Sequence, residues 1–293
     1  MKAEHRPFIL HPSAFILSTV GTLYLVATPI GNLEDISARA LRVLREVRLI
    51  AAEDTRRTAQ LLTHFGIHTP LTSYFEHNKL SKLDDILAAL DVGDVALVSD
   101  AGTPALSDPG YELVRAALDS AHAIVPIPGA SALLAALVAS GLPTDAFLYL
   151  GFLPRKDSDR QRLLASVARE PRTLVFFETP HRLLDSLADL ELSLGDRPLA
   201  VARELTKLHE EIYRGPISAA RTHFASKDIL GEITLVVGGA PPEQAAQWDE
   251  AHVRAELAKL LAEGMKKKEA AKLVAELSGW PTREVYKITI EKD

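Results

Sequence analysis

Charged side chains in this 293-residue chain gather where apolar runs end. Val95-Ala-Leu-Val98 gives way to Ser99-Asp100-Ala-Gly-Thr-Pro104, Arg48-Leu-Ile-Ala-Ala52 to Glu53-Asp54-Thr55-Arg56, and Leu199-Ala-Val-Ala202 to Arg203-Glu204-Leu-Thr-Lys207. Two more runs, Leu23 to Ala27 and Ile124 to Ile127, end in Thr28-Pro-Ile-Gly-Asn-Leu33 and Pro128-Gly-Ala-Ser131. Loops of Gly, Ala, Ser and Thr bring backbone amides within reach of a ligand, so this is the chemistry of a small-molecule pocket with carboxylates at its rim. The same charges have a plainer reading: Asp54 can cap a helix, and Arg203, Glu204 and Lys207 can form an ion-pair cluster.

The elements that must position these residues are short apolar strands alternating with amphipathic helices. Leu23 to Ala27, Arg48 to Ala52, Val95 to Val98 and Ile124 to Ile127 have the length and composition of buried strands. Helices are expected from Asp35 or Ser37, with Ile36, Ala40, Leu41, Leu44 and Val47 on one face, from Asp54 or Thr55 through Phe65, and from Ala132 to Ala139 behind a Ser131 cap. This alternation predicts a parallel or mostly parallel sheet, with its ligand site at the strand ends. After the Gly141-Leu-Pro-Thr144 turn come five further strand patterns, at Phe147 to Leu150, Thr173 to Phe177, Leu199 to Ala202, Glu211 to Arg214 and Glu232 to Val237. Three helical patterns close the chain, Trp248 to Ala262, Lys267 to Leu277 and Thr282 to about Ile288, with turns at Gly264 and Ser278-Gly-Trp-Pro281. The predicted division is an extension at 1–20, α/β domains at 21–141 and 142–240, and a helical, helix-turn-helix-like module at 241–293. Residues 1–20 have a signal-like look, but their apolar run continues into the first strand, so cleavage would cut into the fold.

Thr28-Pro-Ile-Gly-Asn-Leu33, Ala52-Glu-Asp-Thr-Arg56, Ser99-Asp-Ala-Gly-Thr-Pro104, Asp108-Pro-Gly110, Gly151-Phe-Leu-Pro154 and Arg203-Glu-Leu-Thr-Lys207, in this order from about Gly21 to the C-terminus, closely resemble the ribosomal RNA small subunit methyltransferase I family. That family belongs to the tetrapyrrole-methylase-like class. The resemblance implies two α/β domains of the tetrapyrrole methylase type with the donor pocket in the cleft, a small C-terminal helical module, and a homodimer. It also implies S-adenosylmethionine as methyl donor and a cytidine ribose 2′-hydroxyl in the decoding region of small-subunit ribosomal RNA as acceptor, with the RNA within the small ribosomal subunit. Carried over residue by residue, the donor pocket is Pro29, Ser99, Asp100, Ala101, Gly102, Ser131 and Ala132, with Glu178 and Leu205. A ribose hydroxyl is a very weak acid, so a base or cation beside it helps by about 10²- to 10⁴-fold; Asp54, Glu204 and Lys207 are the candidates.

Composition sets limits of its own. The net charge of −6 excludes a uniformly basic nucleic-acid binder, so any RNA contact must be local. The densest basic run follows Pro154 and contains Arg155, Lys156, Arg160, Arg162, Arg169 and Arg172; Arg155, Lys156 and Arg160, with Arg56 and Arg203, are the expected RNA contacts. The tail from residue 241 holds nine Lys and Arg against ten Asp and Glu, so it serves equally as a structural bundle or as an RNA-docking element. Cysteine is absent, which excludes disulfides and thiolate chemistry and suits a cytoplasmic enzyme. No metal site is expected: His64 and His68 are four apart, but Gly66 lies between them at a helix end. G-x-G-x-x-G and the P-loop pattern are missing, and no stretch reads as a membrane span. Two other functions stay open, a methyltransferase for a small tetrapyrrole, which needs a large apolar cavity, and a non-catalytic RNA binder indifferent to the methyl donor.

Overall fold

The computed structural model describes residues 21–241, 250–262 and 264–290. The expected extension at 1–20 and the start, at Trp248, of the first of the three C-terminal helical patterns lie outside the described residues. In the first part of the chain β1 (Thr22–Val26), α1 (Ala38–Glu46), β2 (Leu49–Ala52), α2 (Thr55–His64), β3 (Leu71–Ser73), α3 (Leu83–Leu90), β4 (Val95–Val98), α4 (Tyr111–Asp119), β5 (Ala123–Ile127) and α5 (Ala132–Ala139) alternate, with β3 and α4 added to the expected elements. The five strands form one sheet, in the order β3-β2-β4-β1-β5. All four pairings are parallel. Each residue of β4 is buried, which is why Val95 to Val98 is continuously apolar rather than alternating. One apolar cluster gathers Val43, Leu44, Ile50 and Leu62, and a second gathers Leu23, Leu90, Leu97 and Leu113.

The helix starts follow from side-chain caps. Ser37 accepts a hydrogen bond from the Ala40 N–H, and Asp54 accepts one from the Arg56 N–H, each satisfying a donor that the first turn leaves open. Other elements carry no such signal. β3 has only three residues, all half-buried, and α3 and α4 begin after Lys82 and Gly110 without a side-chain cap.

The second part contains β6 (Phe147–Phe152), α6 (Asp157–Ser166), β7 (Thr173–Glu178), α7 (Leu183–Leu194), β8 (Pro198–Arg203), β9 (Glu211–Pro216), α8 (Ile217–Ala225) and β10 (Ile233–Val237). Its sheet runs β6-β7-β10-β8-β9. Only β6 and β7 are parallel; the other pairs are antiparallel. Phe176, Leu187, Phe224 and Leu235 are fully buried in its core. The chain closes with α9 (Glu250–Ala262), α10 (Lys267–Ser278) and α11 (Thr282–Ile288), which share a core of Val253, Leu257, Val274 and Val285. Gly279, left-handed at φ 71°, ends α10, and a Cβ is costly in that conformation.

The chain divides into two compact units. One runs through Ala135 and also includes Glu204–Glu210; the other is Ala136–Arg203 with the chain from Glu211 onward. The compact units part between Ala135 and Ala136, and the segment Glu204–Glu210 groups with the first sheet.

Phe176 is the fixed point of the second core. Phe176→Ala should lower its unfolding free energy by about 3–5 kcal/mol, read as a lower denaturant midpoint.

Candidate active site

Three strand ends meet at one edge of the first sheet and are tied through their backbones. Thr28, after β1, and Gly102, after β4, exchange two hydrogen bonds, Thr28 N–H to Gly102 O at 2.9 Å and Gly102 N–H to Thr28 O at 3.0 Å. The Thr28 hydroxyl donates to Ser99 O at 3.2 Å, and the Thr103 hydroxyl to Ala130 O, after β5, at 3.4 Å. Gly102 sits at φ 81°, where a side chain is strained, and a Cβ on Gly129 would lie 2.9 Å from that of Ala27. The result is a surface of backbone with almost no side-chain bulk. Ser131 caps α5 from this edge, accepting the Leu134 N–H at 3.4 Å.

The Glu204–Glu210 segment lies against the first of these loops. A Cβ on Gly31 would come within 2.4 Å of Lys207 Cγ and 2.9 Å of Thr206 Oγ1, so the approach needs glycine. The segment is itself wound tightly: Glu204 and Thr206 both adopt positive φ, at 51° and 66°. Two such non-glycine residues, one apart, are costly and cluster at functional sites. Lys207 Nζ donates to Glu204 Oε1 at 2.8 Å, and the Glu210 carboxylate accepts the Thr206 N–H at 2.6 Å. Leu205 is buried. The Thr206 hydroxyl is buried with no hydrogen-bond partner among the described residues.

Carboxylates line the β4 exit. Asp100 Oδ1 accepts the Asp54 N–H at 2.9 Å, its Oδ2 lies 3.2 Å from Arg57, and its own N–H donates to Glu53 at 3.2 Å. Burial pushes the Glu53 carboxyl up from its ordinary value; the hydrogen bond from the Asp100 N–H opposes the shift, and the charges of Asp100 and Asp54 add to it. Asp108 goes further, to about 6: burial is the main cause, the charges of Glu53 and Asp100 reinforce it, and a Ser99 hydrogen bond opposes it.

Comparison with known proteins is informative over nearly the whole described chain. Residues 22–221 match the Tetrapyrrole (Corrin/Porphyrin) Methylases profile, and residues 247–292 match the RsmI C-terminal HTH domain. The protein named ribosomal RNA small subunit methyltransferase I in Synechocystis sp. is 49% identical over 93% of this chain and 98% of its own length. That of Pseudomonas aeruginosa is 47% identical over 94% and 98%. The chain belongs to the ribosomal RNA small subunit methyltransferase I family. Solved structures with the same fold include the uroporphyrin III C-methyl transferase of Thermus thermophilus, at a TM-score of 0.53 and 20% identity over 74% of this chain and 97% of that one. A cobalt precorrin-4 methyltransferase has a TM-score of 0.57 at 16% identity, over 74% and 94%. The fold is thus the tetrapyrrole methylase fold expected from the sequence.

Pro29, Ser99, Asp100, Ala101, Gly102, Ser131, Ala132 and Leu205, together with Glu204 and Lys207, belong to the first compact unit. Glu178 belongs to the second, and its carboxylate is wholly buried there, accepting from the Ser186 hydroxyl and pairing with Arg182. Three of the expected residues have partners of their own. Hydrogen bonds from the Arg56 side chain and N–H hold the Asp54 carboxyl at about 2, and Asp54 caps α2. The Arg160 guanidinium is buried between Asp189 and Asp157. Arg203 donates to Glu211 and to Leu230 O. The exposed cations of that set are Arg155, Lys156 and Arg56, the last paired with Asp54. Asp108 and Thr206 lie within motifs quoted above but received no role there, and the outward face of α2 with Arg57, Gln60 and His64 was not read. The signal of that face is a helical spacing of three and four rather than a motif.

The raised Asp108 carboxyl predicts a pH signature. It favours the folded state fully below about pH 4, and that contribution fades as pH rises through about 6, where the folded carboxyl ionises. Asp108→Asn stays neutral, so its Tm should exceed that of the unchanged protein by about 2–4 °C at pH 8 and match it below pH 4. Thermal melts across pH 3.5–8 check this.

Proposed function

We propose that this protein transfers a methyl group from S-adenosylmethionine to the ribose 2′-hydroxyl of a cytidine in the decoding region of small-subunit ribosomal RNA. The observation that carries this reading is identity of 43–49% to proteins named ribosomal RNA small subunit methyltransferase I, over more than nine-tenths of this chain. The residues at the strand ends suit such a donor. Gly102 and Gly129 let these loops pack closely against Ile30 and Ala27, and the carboxylate of Asp100 and the hydroxyls of Ser99 and Ser131 can meet a ribose or an amino-acid head group. Ser99 to Gly102, Pro29, Ser131, Ala132 and Leu205 would hold it. Because the Glu178 carboxylate is turned inward, that residue could take part only through its backbone.

When bound, the donor supplies an activated methyl group on a sulfonium sulfur. The chain has to hold the acceptor oxygen in line with it and exclude water, an alignment worth about 7–11 kcal/mol. As O2′ bonds to carbon and the carbon–sulfur bond breaks, the hydroxyl proton must leave. In this reading the Glu204 carboxylate takes it, and the Lys207 ammonium, bonded to Glu204 Oε1 at 2.8 Å, stabilises the developing alkoxide. Arg155 and Lys156 supply local phosphate contacts on a chain that is acidic overall. The enzyme works in the cytoplasm as a homodimer on the assembled small subunit. No helix among the described residues is long and apolar enough to cross a membrane.

The test is labelled methyl transfer to small ribosomal subunits lacking their native methylations, with the product mapped by nuclease digestion and mass spectrometry. A single 2′-O-methylcytidine is expected; transfer to a base, or to a tetrapyrrole but not to RNA, would overturn the reading. In the same assay Glu204→Gln should lower kcat by about 10²- to 10⁴-fold while leaving S-adenosylhomocysteine binding in place.

A further inference from the structure

Beside the strand ends, within the first compact unit, lies a cavity of about 370 Å³. Its floor is shared with the proposed donor site through Thr28, Pro29, Ser99 and Asp100. Its far wall is not. Arg57, Gln60, Leu61 and His64 of α2 form that wall, whereas Gly129 to Ala132, on the opposite side of the donor surface, do not line it. The strand order explains the offset. In β2-β4-β1-β5 the donor loops follow β4, β1 and β5, so a cavity that reaches the helix after β2 is a second compartment at the other flank of the same strand ends.

The wall has a composition of its own. Residues 57, 60, 61 and 64 recur at helical spacing, so they share one face of α2, while Thr58 and Leu62 are buried on the face turned to the sheet. A helix face needed only for solvation has no reason to enclose a cavity with a guanidinium, a carboxamide, an aliphatic side chain and an imidazole. Those four match the parts of one nucleotide. A carboxamide offers a donor and an acceptor side by side, as the edge of a pyrimidine requires; leucine and imidazole can lie against a base; a guanidinium can meet a phosphate. Arg57 is held in place by Asp100 at 3.2 Å, and a guanidinium has five donors, so the ion pair does not use them all. The volume is at the small end of ligand pockets, which run about 300–1,000 Å³, and suits one splayed-out nucleotide rather than a macrocycle.

We propose that the compartment walled by Arg57, Gln60, Leu61 and His64 receives the nucleoside that is methylated, with Gln60 reading the edge of its base. This assignment rests on the RNA methyltransferase reading above. It gives that reading a base-recognition element on α2, separate from the donor loops.

The test compares full-length protein with Gln60→Ala, Gln60→Leu and His64→Ala. Three quantities are measured: kcat/KM for labelled transfer to hypomethylated small subunits, the Kd for S-adenosylhomocysteine by calorimetry, and the Tm. Gln60 and His64 are exposed, so Tm should hold. Both Gln60 variants should lose at least tenfold in kcat/KM, His64→Ala should lose less, and donor Kd should stay within twofold in all three. Transfer within twofold of the unchanged protein in both Gln60 variants would overturn the assignment. A tenfold weaker Kd would overturn it too, by giving the compartment to the donor. If the unchanged protein binds S-adenosylhomocysteine but methylates neither subunits nor free RNA, the RNA reading itself fails, and the assignment falls with it.

Discussion

The two-way backbone bond between Thr28 and Gly102 is the constraint on which the rest of the site depends. Two neighbouring parallel strands, β1 and β4, end at the same level, and their exit loops must stay close while leaving room for a ligand. Backbone groups do most of the tying, because they need partners in any case once buried, and the short hydroxyl side chains of Thr28 and Thr103 add to it without filling the space. Gly102 at φ 81° and Gly129 against Ala27 follow from this arrangement, as does the hydrogen bond from Thr103 to Ala130 that brings in the third loop. The cost is conformational entropy and left-handed backbone; the gain is a rigid, bare surface fixed before any ligand arrives.

Charge is distributed around that surface in an ordered way. Glu53, Asp100 and Asp108 lie together at the β4 exit, where burial, with neighbouring carboxylate charge adding to it, raises Glu53 and Asp108. The cations stand further out. Arg57 pairs with Asp100 from α2, and Lys207 pairs with Glu204 from a segment that returns to the first sheet after most of the second has been built. Gly31 is what admits that segment, since any side chain there would strike Lys207. The strained pair Glu204 and Thr206 thus has a geometric reason: a short excursion must turn twice within a few residues to place Lys207 against the loop after β1. A chain with net charge −6 can in this way engage a polyanion through a few cations placed where the chemistry lies.

Most of the strand and helix pattern was legible because its causes are local. Val95 to Val98 and Ala132 to Ala139 coincide with β4 and α5, and the capping of the first two helices by Ser37 and Asp54 was visible in residue type alone. β3 and α4 were not, since three half-buried residues have no measurable period and Gly110 offers no cap. The site was legible as motifs but less so as roles. Asp54, Arg160 and Arg203 have the right chemistry at the right places in the sequence, yet Arg56, Asp189 and Glu211 each absorb one of them. Such pairings form across tens of residues or depend on a rotamer, and spacing along the chain does not report them. The face of α2 illustrates the reverse case: its spacing was there to be read, but nothing in the sequence says that this face borders a cavity.

If the strand ends hold the methyl donor and the α2 compartment beside them is left for the acceptor, a crystal structure of the protein with S-adenosylhomocysteine will show it. Ligand density is expected against the backbone of Ser99 to Gly102 and Gly129 to Ala132, with none between Gln60 and His64. Density for the ligand packed along α2, with the Gly102 and Gly129 backbone left uncovered, would contradict it.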